Sequence, residues 1–462
     1  MPDLTLIRGE SLSSSPPRNP EQHTYFVQTW GCQMNDEDSQ QLGTSLEAMG
    51  FAQARRIDEA NVILLNTCSV RKKPEDKAFS LLGELAILKT SRPDIIVGVC
   101  GCMAQIRADE IRRRAPHVDF VLGTGQLTDV ADLVSKTQQS RSFRKNVDLP
   151  ERKGTVVTDI PKRVVGSTSK LKAFVPVQYG CDKFCTFCIV PSTRGRERSR
   201  PTEDILDEVF ELVAKGTREV TLLGQTVNSY GKNLAEGRVP FSDLLWKLDD
   251  IPGLERIRYT SPYPRDFSHE LIATIRDCPS VMEHVHLPLQ SGDNDVLKSM
   301  KRLYTRESFL AIVAELRRQV PGIAITTDII VGFPGETEEQ FERTLSLVSE
   351  VRFDGAYMFI YSPRPGTPAA SMEQMPFAER QQRLKRLIDI QNAISCEINE
   401  SLVGREFEVL VEGASPKDAS RLQGYSREFK MIHFEGSSEL VGRLVRVKAT
   451  AAHLWGLSAV LV

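Results

Sequence analysis

Three strand-like segments near the start of this 462-residue chain each close on a cysteine, and that repetition constrains the fold more than any other feature. Thr24–Trp30 (TYFVQTW) leads into Gly31-Cys32, the apolar run 60–66 (ANVILLN) into Thr67-Cys68, and 94–100 (DIIVGVC) into Gly101-Cys102. Helical periodicity follows each one, over about 36–49, 75–89 and 105–114, and 118–123 reads as a fourth short strand. Continuous apolar runs mark strands buried on both faces, and strands alternating with helices predict a parallel sheet with crossover helices. All strand C-termini of such a sheet lie along one edge. Cys32, Cys68 and Cys102 stand one or two residues beyond three such ends, so they are expected to converge and form one metal-binding set. Cys100 lies inside its strand and is expected in the core.

The remaining chain continues the alternation. The polar stretch 138–170 reads as linker with a short strand or two. Strands are then expected at 174–179, 219–223, 256–260, 285–287, 324–330 and 356–360, with helices at 203–215, 241–248, 268–277, 294–300, 306–319 and 338–351. Six βα units in about 190 residues fit a partial or complete barrel, or an open doubly wound sheet. A long helix over 377–399 closes this part. Short strands at 406–412, 431–434, 440–448 and 454–461 then predict a small antiparallel β-domain of barrel type.

Cysteine usage indicates the redox setting. There are nine, an odd number, and the polar, Pro/Ser-rich residues 1–22 lack the apolar core of a secretory signal. Reduced thiols in a cytoplasmic protein are expected, with residues 1–22 a disordered leader. Cys278 and Cys396 stand alone in helical patterns and read as small buried hydrophobes. No apolar run approaches 18 residues, which excludes a helical membrane span. Lys and Arg number 59 against 61 Asp and Glu, so overall charge announces no nucleic-acid partner.

Cys181-Asp-Lys-Phe-Cys185-Thr-Phe-Cys188 carries the most specific chemistry. Three thiolates within eight residues can wrap one side of an iron–sulfur cubane, leaving one iron open to a small molecule. Tetrahedral zinc would need a fourth ligand, and no Cys or His follows closely. Arg194, Arg196, Arg198 and Arg200 come next, either as a solvated face or as phosphate contacts for a nucleic acid. Leu223-Gly-Gln-Thr226 and 328–335 (DIIVGFPG) stand at expected strand ends, where polar and glycine backbone suits a nucleotide-like ligand. The residues after Ser401 hold eight Lys/Arg and seven Asp/Glu, a net of +1, so fold type rather than charge hints at nucleic-acid binding there.

On these residues the chain resembles the radical S-adenosylmethionine (radical SAM) methylthiotransferases. The resemblance rests on 180–200 (GCDKFCTFCIVPSTRGRERSR), 31–35 (GCQMN), 66–71 (NTCSVR), 101–105 (GCMAQ), 286–292 (HLPLQSG) and 326–335 (TTDIIVGFPG), and runs from about Thr24 to Val462. GCQMN and NTCSVR point to the tRNA-2-methylthio-N6-dimethylallyladenosine synthase (MiaB) type. Two positions depart from the pattern: Tyr179 stands where an acidic residue is expected, and 424–430 (GYSREFK) lacks the usual G-R-T-x2-N wording.

Beyond the leader (1–22), which lies outside it, the resemblance implies an α/β architecture of N-terminal parallel-sheet domain with an auxiliary cluster (23–140), linker (141–166), partial (β/α)6 radical SAM core (167–399) and C-terminal β-barrel of TRAM type (400–462). It implies insertion of a methylthio group at carbon 2 of N6-dimethylallyladenosine at tRNA position 37. The cofactors would be SAM and two 4Fe-4S clusters, held by Cys181, Cys185 and Cys188 and by Cys32, Cys68 and Cys102. Phe187, Gly224, Gln225, Gln290 and Asp328 would line the SAM pocket. A tRNA substrate, a reductant such as flavodoxin or ferredoxin, and a monomeric state are expected. Alternatives are the same chemistry on threonylcarbamoyladenosine or a ribosomal protein, or a non-catalytic iron–sulfur RNA-binding protein.

Overall fold

In the computed structural model, which describes residues 23–69, 72–150, 160, 163–166 and 170–462, the chain divides into two units. The first comprises residues through Pro150 together with Ser192–Arg194, and the second the remainder through Val462. The expected leader, Val70 and Arg71 of the NTCSVR motif and most of 151–169 lie outside the described residues.

The first unit is built from β1 (Thr24–Trp30), α1 (Gln33–Ala48), β2 (Ala52–Gln53), β3 (Val62–Thr67), α2 (Lys72–Ser91), β4 (Ile96–Gly101), α3 (Cys102–Arg114), β5 (Phe120–Leu122), α4 (Val130–Gln139) and β6 (Arg144–Asn146). Its six strands run parallel in the order β2-β1-β3-β4-β5-β6. The period-two geometry of β3 sends Val62 and Leu64 to one face, against Leu42 and Leu46 of α1 and Val130, Leu133 and Val134 of α4. Ile63 and Leu65 go to the other face, against Ala78 and Leu82 of α2 and Met103 and Ile111 of α3. Two-sided burial explains why β4 and the first four residues of β3 are apolar. Cys100 sits in the first of these cores. α4 was not among the expected helices, and β6 falls in the stretch expected to be linker with a short strand or two.

The second unit holds two three-stranded parallel sheets. The first contains β7 (Lys172–Pro176), and the expected strand 174–179 breaks after it, leaving the two-residue β8 (Gln178–Tyr179). After α5 (Val190–Arg194) comes β9 (Arg198–Ser199), which pairs antiparallel with β8. The chain continues through α6 (Thr202–Ala214), β10 (Glu219–Leu223), α7 (Phe241–Asp249), β11 (Arg256–Tyr259), α8 (His269–Asp277), β12 (His284–His286), α9 (Asn294–Ser299), α10 (Arg306–Gln319), β13 (Ala324–Val331), α11 (Glu338–Val351), β14 (Gly355–Ile360) and α12 (Phe377–Ser401). The sheet orders are β11-β10-β7 and β12-β13-β14, with an isolated bridge between Ile257 of β11 and Val281 shortly before β12; among the described residues the outer edges of β7 and β14 do not pair, so the (β/α)6 arrangement is a partial barrel.

The C-terminal strands β15 (Glu406–Ser415), β16 (Asp418–Ser426), β17 (Met431–Glu435), β18 (Leu444–His453) and β19 (Gly456–Leu461) close into a barrel around Phe407, Val409, Ile432, Phe434, Val447 and Leu457. β16 was not among the expected strands. Four of the five pairings are antiparallel, and β17–β19 is parallel. Residues 425–430 pack on the partial barrel. Arg256, fully buried, donates to the Tyr425 carbonyl at 2.7 Å, and Arg258 donates to the Ser426 carbonyl at 2.7 Å. Tyr425 stacks on Phe429 and Phe429 on His284, while Lys430 pairs with Asp354 at 2.8 Å. The segment that departs from the family wording thus joins this β-barrel to the core.

Candidate metal centres and cofactor pocket

β1, β3 and β4 are neighbours, and their registers place Trp30, Thr67 and Gly101 in one row. Cys32 leaves that row by two residues, Cys68 and Cys102 by one. The three thiols therefore share one short stretch of the sheet's C-terminal edge. Two asparagines from the GCQMN and NTCSVR motifs hold this edge together. Asn66 Nδ2 donates to the Asn35 carbonyl at 2.8 Å and to Ser39 Oγ at 2.9 Å, and Asn35 Nδ2 donates to Asn66 Oδ1 at 3.1 Å. Gly101 takes a φ of 87°, and a Cβ there would collide with Asn66 Oδ1 and the Thr67 carbonyl. Cys102 follows immediately as the first residue of α3.

Cys181, Cys185 and Cys188 lie in the loop after β8. Gly180 takes a φ of 71° there, where a side chain would strike the Arg196 carbonyl. The Lys183 amide donates to Cys181 Sγ at 3.5 Å, and Arg302 Nη1 to Cys185 Sγ at 3.4 Å. Burial pushes the Cys181 thiol up to about 11 and the Cys188 thiol up to about 12. Burial also raises Cys102, while the Arg194 cation works the other way. The ligand form of cysteine is the thiolate, so buried thiols that resist ionising when bare suit sites where metal supplies the balancing charge. Among the described residues, no group of three or more His, Cys, Asp or Glu could hold a single metal ion. A cubane takes one thiolate per iron, so its ligands need not meet at one ion. Both cysteine sets fit that group.

The expected SAM-pocket residues all belong to the second unit. Gly224 and Gln225 follow β10 directly, and Gln225 Oε1 and Gln178 Oε1 are buried acceptors without a hydrogen-bond partner. Gln290, at a left-handed φ of 70°, exchanges backbone hydrogen bonds with β13, accepting from Ile330 and donating to Asp328. The Asp328 carboxylate lies 3.3 Å from His286 Nε2. Phe187 packs with Val296, Met300, Phe333 and Tyr361, anchoring the cysteine loop in an apolar cluster.

The arginine run is neither a solvated face nor a row of open phosphate contacts. Arg194, Arg198 and Arg200 are buried. Arg194 pairs with Asp38 at 2.7 Å, and Arg200 pairs with Glu208 at 2.7 Å and donates to the Pro176 carbonyl. Exposed Arg196 pairs with Asp182 at 2.6 Å. Sequence reasoning read over Glu197, whose buried carboxylate lies 3.3 Å from Thr226 Oγ1, and over Arg302 at Cys185. Glu197 is masked by the basic residues around it. Arg302 follows Lys301, which turns the chain at a φ of 58°, and no motif announces it.

Family models describe three segments: the Radical SAM superfamily over residues 175–348, Uncharacterized protein family UPF0004 over 24–123, and the TRAM domain over 400–462. The chain is 49% identical over 442 residues to the tRNA-2-methylthio-N(6)-dimethylallyladenosine synthase of Moorella thermoacetica, covering 95% of this chain and 98% of the relative. It is 45% identical to the same-named protein of Carboxydothermus hydrogenoformans, covering 95% and 99%. Among solved structures, the radical S-adenosylmethionine methyltransferase TsrM of Kitasatospora setae aligns with a TM-score of 0.56 at 14% identity, over 82% of this chain and 90% of that one. That likeness concerns the fold. With near-half identity along almost its whole length, the chain belongs to the family of tRNA-2-methylthio-N(6)-dimethylallyladenosine synthases, radical SAM enzymes with a TRAM domain.

Proposed function

We propose that this enzyme inserts a methylthio group at carbon 2 of N6-dimethylallyladenosine at position 37 of tRNA. The observation that carries the reading is the pair of cysteine sets: one on a single loop, the other on three aligned strand ends. Cys181, Cys185 and Cys188 would hold the cluster that binds SAM at its open iron, and Cys32, Cys68 and Cys102 the auxiliary cluster that carries sulfur. When bound, these groups supply a 5′-deoxyadenosyl radical to activate the adenine and a methylated sulfur to transfer to it.

The chain's own residues bind and orient. Gly224, without a side chain, lets backbone approach a ligand closely. The unpartnered acceptors Gln178 Oε1 and Gln225 Oε1 suit the amino and hydroxyl donors of SAM. Asp328, Gln290 and the Thr226-bonded carboxylate of Glu197 complete the polar lining, with Phe187 fixing the loop. The Arg302 guanidinium, beside Cys185, places positive charge at that cluster.

Among the described residues no helix is long and apolar enough to cross a membrane. A cytoplasmic monomer served by a flavodoxin- or ferredoxin-type reductant belongs to the same proposal, and the odd number of cysteines, nine, accords with reduced thiols. The test is anaerobic reconstitution followed by incubation with SAM and three substrates: tRNA carrying N6-dimethylallyladenosine, tRNA carrying threonylcarbamoyladenosine, and ribosomal protein. A 2-methylthio product is expected from the first alone. Absence of 5′-deoxyadenosine from reduced, iron-loaded protein would leave only a non-catalytic iron–sulfur role.

A further inference from the structure

Within the first unit, Arg194 Nη2 and Asp38 Oδ2 meet at 2.7 Å, with side chains 5% and 1% exposed. Desolvation offsets most of the attraction in such a buried pair, so it is a weak source of stability. Its placement matters more. Asp38 lies on α1, between Asn35 and Ser39, which hold Asn66 at the cysteine edge. Thr193, next to Arg194, hydrogen-bonds the Cys102 thiol. The pair thus sets one buried positive and one buried negative charge beside the edge that carries Cys102. The other acids nearby on α1 are Asp36 and the buried Glu37, so Arg194 brings positive charge to a helix stretch rich in carboxylates.

We propose that Arg194 and Asp38 are positioning residues that set the reduction potential of the auxiliary cluster from opposite sides, Arg194 raising it and Asp38 lowering it. The proposal rests on the reading that Cys32, Cys68 and Cys102 hold that cluster. Physically, adding one electron to a group already ligated by three thiolates is eased by a buried cation and opposed by a buried anion.

The experiment uses full-length protein with Cys181, Cys185 and Cys188 changed to Ala, so that only auxiliary iron remains. Arg194→Gln, Arg194→Lys and Asp38→Asn are added singly, and each protein is titrated anaerobically with dithionite, the one-electron donor, while the reduced-cluster EPR signal is followed. The midpoint potential should fall in Arg194→Gln, rise in Asp38→Asn and stay near the parent in Arg194→Lys. Unchanged midpoints in Arg194→Gln and Asp38→Asn at full iron content would overturn the proposal and leave a structural ion pair. If Arg194→Gln cannot hold iron, an unmoved Asp38→Asn midpoint overturns it equally. A parent protein without iron would overturn the cluster assignment itself, a failure distinguishable because no titration signal appears at all.

Discussion

The two cysteine sets are built on opposite plans. Cys181, Cys185 and Cys188 come from eight consecutive residues, so their proximity is nearly guaranteed by the chain itself. Cys32, Cys68 and Cys102 are brought together by strand order, register and the Asn35–Asn66 hydrogen bonds. The loop set should therefore survive damage to the sheet of the first unit, while the strand-end set should fail whenever the sheet edge is disturbed. Both plans place an arginine near a thiol: Arg302 at Cys185 and Arg194 near Cys102.

The largest expected effect separates the sets directly. The intact protein should bind about eight iron atoms, and changing Cys181, Cys185 and Cys188 to Ala should leave about four and abolish SAM cleavage. Single Ala variants of Cys32, Cys68 or Cys102 should keep SAM cleavage and lose methylthio transfer. Iron and sulfide quantitation beside assays of 5′-deoxyadenosine and 2-methylthio nucleoside reads all of this. Normal transfer by Cys102→Ala would remove that residue from the auxiliary set.

Next in size is the support of the loop set's own unit. Glu219 is the buried counter-charge of Arg258, at 3.1 Å, and lies 4.0 Å from Arg256. Glu219→Gln should cost about 3–5 kcal/mol, because two buried guanidiniums lose their shared carboxylate. Thermal melts would detect it, and an unshifted melt would count against the buried pairing. Because those arginines also hold the Tyr425 and Ser426 carbonyls, deleting the TRAM domain should weaken SAM cleavage as well as tRNA binding.

Asn66→Ala should cost about 2 kcal/mol, leaving the Asn35 amide without its acceptor. It should lower auxiliary iron while SAM cleavage persists; equal loss from both clusters would contradict the independence of the two plans. A smaller, pH-dependent effect is expected at His284, whose imidazole is held well below its usual range, first by burial and then by Arg258, His286 and Lys430. Between that depressed value and about 6.5 the unfolded chain binds a proton that the folded one does not. Stability therefore rises with pH up to about 6.5 and falls on acidification, by up to about 1.4 kcal/mol per pH unit. Melts between about pH 5 and about pH 7 should flatten in His284→Gln. The smallest effect is Cys100→Ala, which should cost about 1 kcal/mol of core packing and leave both activities intact.

The strands of both α/β regions were legible because an apolar run or a period of two depends only on near neighbours. The alignment of Cys32, Cys68 and Cys102 was legible for a related reason: each follows a strand end within two residues, and a parallel sheet lines such ends along one edge. β16 was read over because its outer half, from Asp418 to Arg421, is polar and partly exposed. α4 lies beside a stretch read as linker and was missed as well. The run from Arg194 to Arg200 looked like a surface, since a charged letter carries no record of a distant partner.

What the sequence by itself determined is therefore the chemical inventory and its local order: three thiols in one loop, three more at strand ends, and the alternation that builds a sheet and a barrel. Only the tertiary structure decided which charges are buried and what they face. Arg194 meets Asp38 across 156 residues of chain, and Arg256 meets the Tyr425 carbonyl across 169. The physical reason is that removing a charge from water is costly unless a partner waits, and the partner's position is a property of the folded chain rather than of either residue's neighbours.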